Sequence, residues 1–436
     1  MRKTPIILLS VAAAASVTAL TVYATTGSSA TSTGDRGVTS VPSGAGPPRP
    51  DEATEWNAAL LEIVPATSTP GPIHPTRNFA VLAVAIDNAV NAVDHTHKPG
   101  QGQPDAPRGA SARAAAAAAG HDTLVALYPD QRAALDSRLT GDLAMLPQND
   151  STRQGVSVGR AAARTVLDSR AHDGASTTPP PYTTTGAPGD FRPTPPASSA
   201  PVFTGWGAIP PFVLRHGDQF RAPKPPALTS EEYATSLKEV QRLGAKTSTN
   251  RTGAQTEDAA FWAAPIQNYW NAIAEQVVNA RHVDLDTSSR LFAQLDLALA
   301  DATIALYDAK YTYRLWRPIT AIREAGSTGN PGTTPDQAWE PLATTPADPS
   351  YPGAHSDLSF AAAAVLAGFF GDSEHFTVSA PTLKGVVHTF DRFSDAATEA
   401  GLSRIYAGVH TRTDHEAGRQ LGMDVATGVL SDVPLH

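Results

Sequence analysis

Residues 77–93 read Arg-Asn-Phe-Ala-Val-Leu-Ala-Val-Ala-Ile-Asp-Asn-Ala-Val-Asn-Ala-Val and place Leu82, Ile86 and Val90 at four-residue spacing. This spacing is the period of an apolar helix face, so a helix is predicted here. Similar patterns recur along the chain, whereas the alternating patterns of β-strands are scarce. The sequence therefore predicts an all-α fold.

The other predicted helices lie in both halves of the chain. In chain order, the first of them begins near residue 55, and the next two cover 111–127 and 155–170. Two more begin at residues 230 and 256, and the last four cover 288–316, 356–370, 381–405 and 410–430. Two long Pro- and Gly-rich loops, 171–228 and 326–353, interrupt them. The first loop has more aromatic residues than a linker needs, so we expect it to pack over the helices. It forms either one wall or lid of the functional site or a surface wrap without a catalytic role.

Bulk composition narrows the class of protein. The chain has 436 residues, enough for one large helical domain or two modest ones. Its 33 basic and 42 acidic residues give a net charge of −9, which argues against a general nucleic-acid binder. A few local cations can still bind an anionic substrate. Cysteine is absent, which excludes thiol catalysis and disulfides.

The N-terminal residues have the pattern of an export signal. Arg2 and Lys3 precede an apolar run, so residues 1–24 are predicted to be a signal peptide of a secreted protein. The alternative is an uncleaved anchor, because the run approaches the roughly 17 residues that span a bilayer. Residues 25–50 are rich in Ser, Thr, Gly and Pro and are predicted to be a disordered tether. The helical domain then covers 51–436, for which we expect no stable membrane insertion.

The first motif with chemical content is Lys310-Tyr-Thr-Tyr-Arg-Leu-Trp-Arg317-Pro318. Seven residues make about two helical turns, so both terminal cations are predicted to project from one helix face. Pro318 disfavours helical geometry at Arg317 and is expected to end the helix there. Two like charges side by side favour an anion between them, although a solvated basic face is the alternative.

The second motif is Tyr351-Pro-Gly353-Ala354-His355-Ser356, which leads into an apolar helix. The amides near Gly353 and Ala354 are predicted to be free at the helix N-terminus, where free N–H groups and the helix dipole bind anions. His355 falls in the first turn, positioned to give a proton to a bound group. Its alternative role is that of a polar cap.

The third motif runs from Ser403 to Asp414 and contains Arg404, Gly408 and His410. Arg404 and His410 are six residues apart and can converge only if the helix breaks at Gly408, a residue that tolerates unusual backbone angles. His410 and Asp414 are spaced i, i+4, so the carboxylate can fix the imidazole tautomer and raise its basicity. An ordinary stabilising helix pair is the alternative.

Together the motifs have the form Lys-x6-Arg-Pro, Pro-Gly-Ala-His and Ser-Arg-x3-Gly-x-His-x3-Asp. They resemble the signature of the superfamily of vanadium-dependent haloperoxidases and type 2 phosphatidic-acid and bacterial acid phosphatases, whose middle motif is Pro-Ser-Gly-His. Trp56-Asn57, 86–92 and 307–311 also look like soluble bacterial vanadium-haloperoxidase-like proteins. The resemblance implies two four-helix bundles in one domain, with the site at 310–414.

The resemblance implies two chemistries for the same residues. In a haloperoxidase, His410 ligates vanadate and His355 handles protons. The oxygens of vanadate are held by the amides around Gly353 and Ala354 and by three cations, Lys310, Arg317 and Arg404. The substrates are then hydrogen peroxide, halide and a small organic acceptor. In an acid phosphatase, which needs no vanadate, His410 forms a phosphohistidine and His355 protonates the leaving alcohol of a phosphate ester. Asp414 supports His410 in both.

The motifs do not separate these activities, but the overall resemblance favours the haloperoxidase. A third hypothesis is a non-catalytic anion-binding descendant, against which the retention of both histidines argues. The sequence leaves the oligomeric state open, a homodimer included.

Two departures from the family pattern bear on the chemistry. Gly353 replaces the family serine, and one hydrogen bond to a charged group is worth about 1.5–3 kcal/mol. We therefore expect weaker vanadate binding.

Asp348 stands where haloperoxidases carry an aromatic residue or histidine near the halide. Because a carboxylate repels halide, we expect oxidation of bromide or iodide rather than chloride.

Overall fold

A computed structural model describes residues 49–64, 73–100 and 102–432. The predicted signal peptide 1–24 and all but the last two residues of the predicted tether 25–50 lie outside these ranges. Within them, no helix is both long enough and apolar enough to cross a membrane.

Five helices form the N-terminal part of the described chain. They are α1 (Glu52–Ile63), α2 (Pro75–Asp94), α3 (Ala112–Leu127), α4 (Arg132–Ala144) and α5 (Asp150–Arg170). The alanine run 114–119 of α3 is buried at the crossing with α5. This crossing is close because Gly159 has no side chain, and a Cβ there would overlap the Ala115 carbonyl oxygen.

Eight further helices follow in the described residues. They are α6 (Glu231–Leu243), α7 (Gly253–Phe261), α8 (Ile266–Arg281), α9 (Leu285–Tyr313), α10 (Pro318–Arg323), α11 (Ala354–Phe370), α12 (Phe393–Tyr406) and α13 (Arg412–Asp432). The 29-residue α9 is central: it packs against α2 of the N-terminal group and against α11 and α13 of the C-terminal group. Helix α11 also packs on α12. The predicted all-α bundle fold is confirmed.

One β-hairpin departs from the sequence prediction. Strands β1 (Ser373–Ser379) and β2 (Val387–Arg392) are antiparallel, with Phe376 opposite Phe390 and both rings buried. The predicted helix over 381–405 is therefore wrong in its first half, since α12 begins only at Phe393. Residues 387–390, Val-His-Thr-Phe, carry β-branched and aromatic side chains that suit a half-buried strand.

The Pro- and Gly-rich loop 171–228 packs against the segments that carry the first two motifs. The Val202 N–H donates to the Ala347 carbonyl at 2.9 Å, and the Tyr351 hydroxyl donates to the Pro223 carbonyl at 2.7 Å. Phe191, within this loop, is fully buried. The loop thus forms a wall beside the chain segment 347–351.

Candidate active site: a buried cage of cations and histidines

The first motif is bent where a continuous helix was predicted. Helix α9 ends at Tyr313, and Arg314 adopts a left-handed conformation with φ 52°. Residues 314–316 then pair with residues 189–191 through two backbone hydrogen bonds of 2.7 and 2.9 Å. The prediction that Lys310 and Arg317 share one helix face is therefore wrong, because this long-range pairing overrides the local helical period.

Lys310 and Arg317 nevertheless converge, and they do so on Asp348. The Lys310 Nζ atom lies 3.2 Å from Oδ2 of Asp348, and Arg317 Nη2 donates to its Oδ1 at 2.5 Å. All three side chains are buried, with exposures of 0, 1 and 7%. Burial lowers the pKa of Lys310 to about 8. Burial alone would raise the pKa of Asp348, but the two cations bring it down to about 2, so the carboxylate is ionised at neutral pH.

Both cations are also bonded to backbone oxygens. Lys310 Nζ donates to the carbonyls of Pro349 and Ser350, the latter at 3.2 Å. Arg317 Nε donates to the Asp348 carbonyl at 2.7 Å, and Nη1 donates to the Val409 carbonyl at 2.9 Å. These bonds tie α9, the 348–350 segment and the third motif together.

The third motif breaks at Gly408, as the sequence predicted. Helix α12 ends at Tyr406, and Gly408 has a φ of +80°, in the region that glycine tolerates. The amides of Val409 and His410 then fold back onto the Arg404 carbonyl at 3.1 and 3.3 Å. This turn brings His410 back beside the end of α12.

The hydrogen bonds of His410 define its tautomer. Its Nε2 lies 3.2 Å from Arg317 Nη1, which can only donate, so Nε2 is an acceptor and the proton is on Nδ1. Nδ1 donates to Asp414 Oδ2 at 3.2 Å. Burial, followed by the charge of Arg317, lowers the pKa of His410 to about 3. The ring is therefore neutral, with the lone pair of Nε2 beside a cation.

Arg404 differs from the other two cations because it lacks a counter-ion in the described part of the chain. The residue is 7% exposed, and its Nη1 atom is buried without a hydrogen-bond partner. Burial and the nearby charge of Arg317 lower the pKa of Arg404 to about 10. A buried guanidinium without a carboxylate is costly, so its surroundings suit an anion from outside the chain.

His355 stands in the first turn of α11. Its Nε2 lies 2.9 Å from the Trp262 carbonyl, an acceptor, so Nε2 carries the proton and Nδ1 has the lone pair. Burial, together with the charge of Arg404, lowers the pKa of His355 well below the ordinary value. His355 is thus neutral and begins as a proton acceptor, whereas the sequence predicted a residue ready to give a proton.

The N-terminus of α11 is only partly free. The Gly353 N–H donates to the Asp414 carbonyl at 2.9 Å, so the prediction of a free amide is wrong at this residue. The reason is the close packing of the second motif on the third. Among the described residues, the amides of Ala354, His355 and Ser356 have no acceptor, which keeps a helix N-terminus available to an anion.

The charges of Lys310, Arg317, His355, Arg404 and His410 act on one another, and we call these five residues the cage. Sequence reasoning missed two residues that hold it. Ser350 Oγ donates to Asp414 Oδ2 at 2.6 Å, and the Trp262 carbonyl accepts from His355. No motif contains Ser350 or Trp262, and their contacts span 64 and 93 residues, so no local signal could have identified them.

Comparisons with known proteins agree with this architecture. Residues 290–434 match the family of the VCPO second helical-bundle domain. Vanadium chloroperoxidase from Curvularia inaequalis is 24% identical over 274 residues, which are 47% of this chain and 44% of that protein. The matched part thus spans less than half the length of this relative.

Solved structures match over more of the chain. The first bacterial vanadium-dependent iodoperoxidase has a TM-score of 0.74 and 26% identity, covering 87% of this chain and 95% of that one. The holo-type bacterial vanadium-dependent chloroperoxidase has a TM-score of 0.65 at 18% identity, covering 85% and 94%, and shows likeness of fold alone. The fold is that of a helical-bundle protein, and residues 290–434 carry the family match. Together, the family match and these likenesses support the superfamily of vanadium-dependent haloperoxidases for this chain.

The residues of the cage fit a tetrahedral oxyanion such as vanadate. The unpartnered Nη1 of Arg404 and the amides of 354–356 are donors without acceptors among the described residues. His410 Nε2 and His355 Nδ1 are the neutral imidazole nitrogens of the cage that carry a lone pair. Cationic and amide donors together with a neutral nitrogen ligand are what a four-oxygen anion requires.

Proposed function

We propose that this protein is a vanadate-dependent haloperoxidase that oxidises bromide or iodide with hydrogen peroxide and passes the oxidised halogen to a small organic acceptor. The observation that carries the proposal is the neutral His410, whose Nδ1 is held by Asp414 and whose Nε2 lies beside Arg317, with the charge of Lys310 also acting on the ring. Similarity to vanadium-dependent haloperoxidases supports the same activity.

In this proposal each cage residue has a defined task. His410 Nε2 would ligate vanadate, and Lys310, Arg317 and Arg404 with the Ala354 amide would hold its oxygens. Bound vanadate supplies a Lewis acid that activates peroxide without a change of oxidation state. The protein contributes fixed positive charge in a buried site, where electrostatic stabilisation is strongest.

His355 would handle the protons of the reaction through Nδ1. Its Nε2 proton is held by the Trp262 carbonyl, which leaves Nδ1 as the atom that accepts and returns a proton. An oxyanion bound near His355 would offset the charge of Arg404, which now disfavours the protonated ring. The residue can then cycle between its neutral and protonated forms.

The halide preference follows from Asp348, which is buried and ionised beside the cage. Its negative charge opposes the approach of any halide, so bromide and iodide, which are easier to oxidise than chloride, are the proposed substrates.

We also propose that the protein is exported, because of the signal-like residues 1–24.

A phosphatase is the second candidate, because a neutral histidine backed by a carboxylate is also what a phosphoryl-accepting nucleophile requires. One experiment separates the two. Purified protein is assayed for peroxide-dependent oxidation of bromide and iodide with added orthovanadate, and for hydrolysis of a chromogenic phosphate ester without vanadate. The proposal expects the first activity. Ester hydrolysis that vanadate inhibits, without halide oxidation, would support the phosphatase instead.

A further inference from the structure

The side chain of Asp348 takes up donors of two cage cations. Lys310 Nζ has three N–H donors, and three oxygens lie around it: the carbonyls of Pro349 and Ser350 and the Asp348 carboxylate. No donor of Lys310 is therefore left over for an external anion.

Arg317 is nearly saturated as well. Its Nε donates to the Asp348 backbone carbonyl at 2.7 Å, and its Nη2 donates to the Asp348 carboxylate at 2.5 Å. Its Nη1 donates to the Val409 carbonyl and to His410 Nε2. Of its five N–H donors, one on Nη2 remains. Arg404, by contrast, has no carboxylate partner in the described residues. The cage thus has one open cation and two that are already engaged.

We propose that Asp348 is an internal competitor for the oxyanion, and that binding of the oxyanion displaces its carboxylate from Lys310 and Arg317. This inference rests on the proposed function, since competition requires a cage that binds an oxyanion. It makes Asp348 a positioning residue that sets oxyanion affinity.

The surroundings of Asp348 explain why the carboxylate occupies this place. The groups that interact electrostatically with it are Lys310, Arg317, His410, His74, Tyr307 and Tyr311. Asp348 is the one carboxylate within ion-pair distance of either cation among the described residues. Without it, two buried like charges would face each other unpaired, which is strongly destabilising. The carboxylate therefore stabilises the fold and weakens the binding of an external anion.

The test compares wild type with Asp348→Asn, and with Asp348→Glu as the control that keeps the charge. Titration calorimetry with inorganic phosphate and with orthovanadate gives the affinities. We expect Asp348→Asn to bind both oxyanions about tenfold more tightly or better, because charge-assisted bonds are released to the ligand. Asp348→Glu should not gain affinity.

Thermal unfolding supplies a second readout. Asp348→Asn should melt below wild type in buffer, and saturating phosphate should raise its melting temperature by more than it raises that of wild type. If Asp348→Asn does not fold, Asp348→Ser serves as the second neutral variant.

Two results would overturn the inference, and they can be told apart. If wild type binds vanadate and a folded neutral variant binds it equally or more weakly, Asp348 merely organises the cations, and the proposed function stands. If neither wild type nor the variants bind either oxyanion, the competition and the proposed function both fail.

Discussion

The Nδ1 atom of His410 lies 3.2 Å from Oδ2 of Asp414, a carboxylate that is fully buried. The same oxygen accepts from Ser350 Oγ at 2.6 Å and from the Thr411 N–H at 2.8 Å. It is therefore fixed independently of the imidazole. Although burial opposes it, these hydrogen bonds lower the pKa of Asp414, so it stays ionised and holds the proton on Nδ1.

The first prediction concerns this carboxylate. Asp414→Asn should weaken vanadate binding about 10- to 100-fold, because an amide can present an N–H to Nδ1 and favour the wrong tautomer. Calorimetric titration with orthovanadate measures the effect. Glu416→Gln, a change at an exposed residue two positions away, is the control and should leave the affinity unchanged. Equal affinities in wild type and Asp414→Asn would show that Asp414 does not orient His410.

The contacts that the sequence predicted correctly are local. The break at Gly408 and the contact of His410 with Asp414 depend on residues within ten positions of each other, where glycine chemistry and residue spacing decide the geometry. Helices α2, α3 and α5 were likewise predicted, because the residues that indicate each helix lie within a single element.

The contacts that the sequence did not predict are long-range. The early end of α9 depends on pairing with residues 189–191, more than 120 positions earlier. The pairing of Asp348 with Lys310 crosses a long loop, so the sequence identified Asp348 only as a residue that repels halide. Strand β2 forms because it pairs with β1 across a turn, and the periodicity of a single segment does not show such a pairing.

The second prediction separates binding from turnover at His355. His355→Gln keeps a polar side chain at the start of α11 but cannot exchange a proton. We expect vanadate affinity within about threefold of wild type and a fall in kcat of roughly 10²- to 10⁴-fold, the usual contribution of general acid–base catalysis. Calorimetry and steady-state bromide oxidation measure the two quantities. Loss of binding together with activity would instead assign His355 to anion binding.

The third prediction concerns Arg404, which has no counter-ion among the described residues. Arg404→Gln should weaken phosphate and vanadate binding about 10- to 100-fold, because a hydrogen bond to a charged group is worth about 1.5–3 kcal/mol. The same change should raise the melting temperature in buffer, since it removes a buried unpaired charge. Arg419→Gln, at a half-exposed position, is the control for both measurements. A variant that melts lower and binds normally would contradict the assignment.

The fourth prediction is a pH effect at Asp296, far along α9 from the cage. This residue is fully buried and accepts from Asn271 Nδ2 at 3.0 Å, and burial raises its pKa to about 8. An unfolded Asp titrates near its ordinary value of 3.8. Below that pH both states are protonated, and as pH rises toward 8 only the unfolded state loses its proton. The wild type therefore loses stability over this interval.

Asp296→Asn removes this titration. Urea denaturation at pH 5 and pH 8 should show that the variant gains free energy of unfolding over wild type, and that the gain is larger at pH 8. A difference that is the same at both values would mean that Asp296 does not titrate in this range.

The most direct test of the account is His410→Ala, with His375→Ala on the exposed face of the hairpin as its control. Peroxide-dependent oxidation of bromide and iodide is measured for both variants and for wild type, with and without added orthovanadate. The proposed function predicts vanadate-dependent oxidation in wild type and in His375→Ala. In His410→Ala, both the oxidation and the binding of vanadate should be lost. Vanadate-dependent oxidation that persists in His410→Ala would contradict it, because the proposed vanadate ligand would then be dispensable.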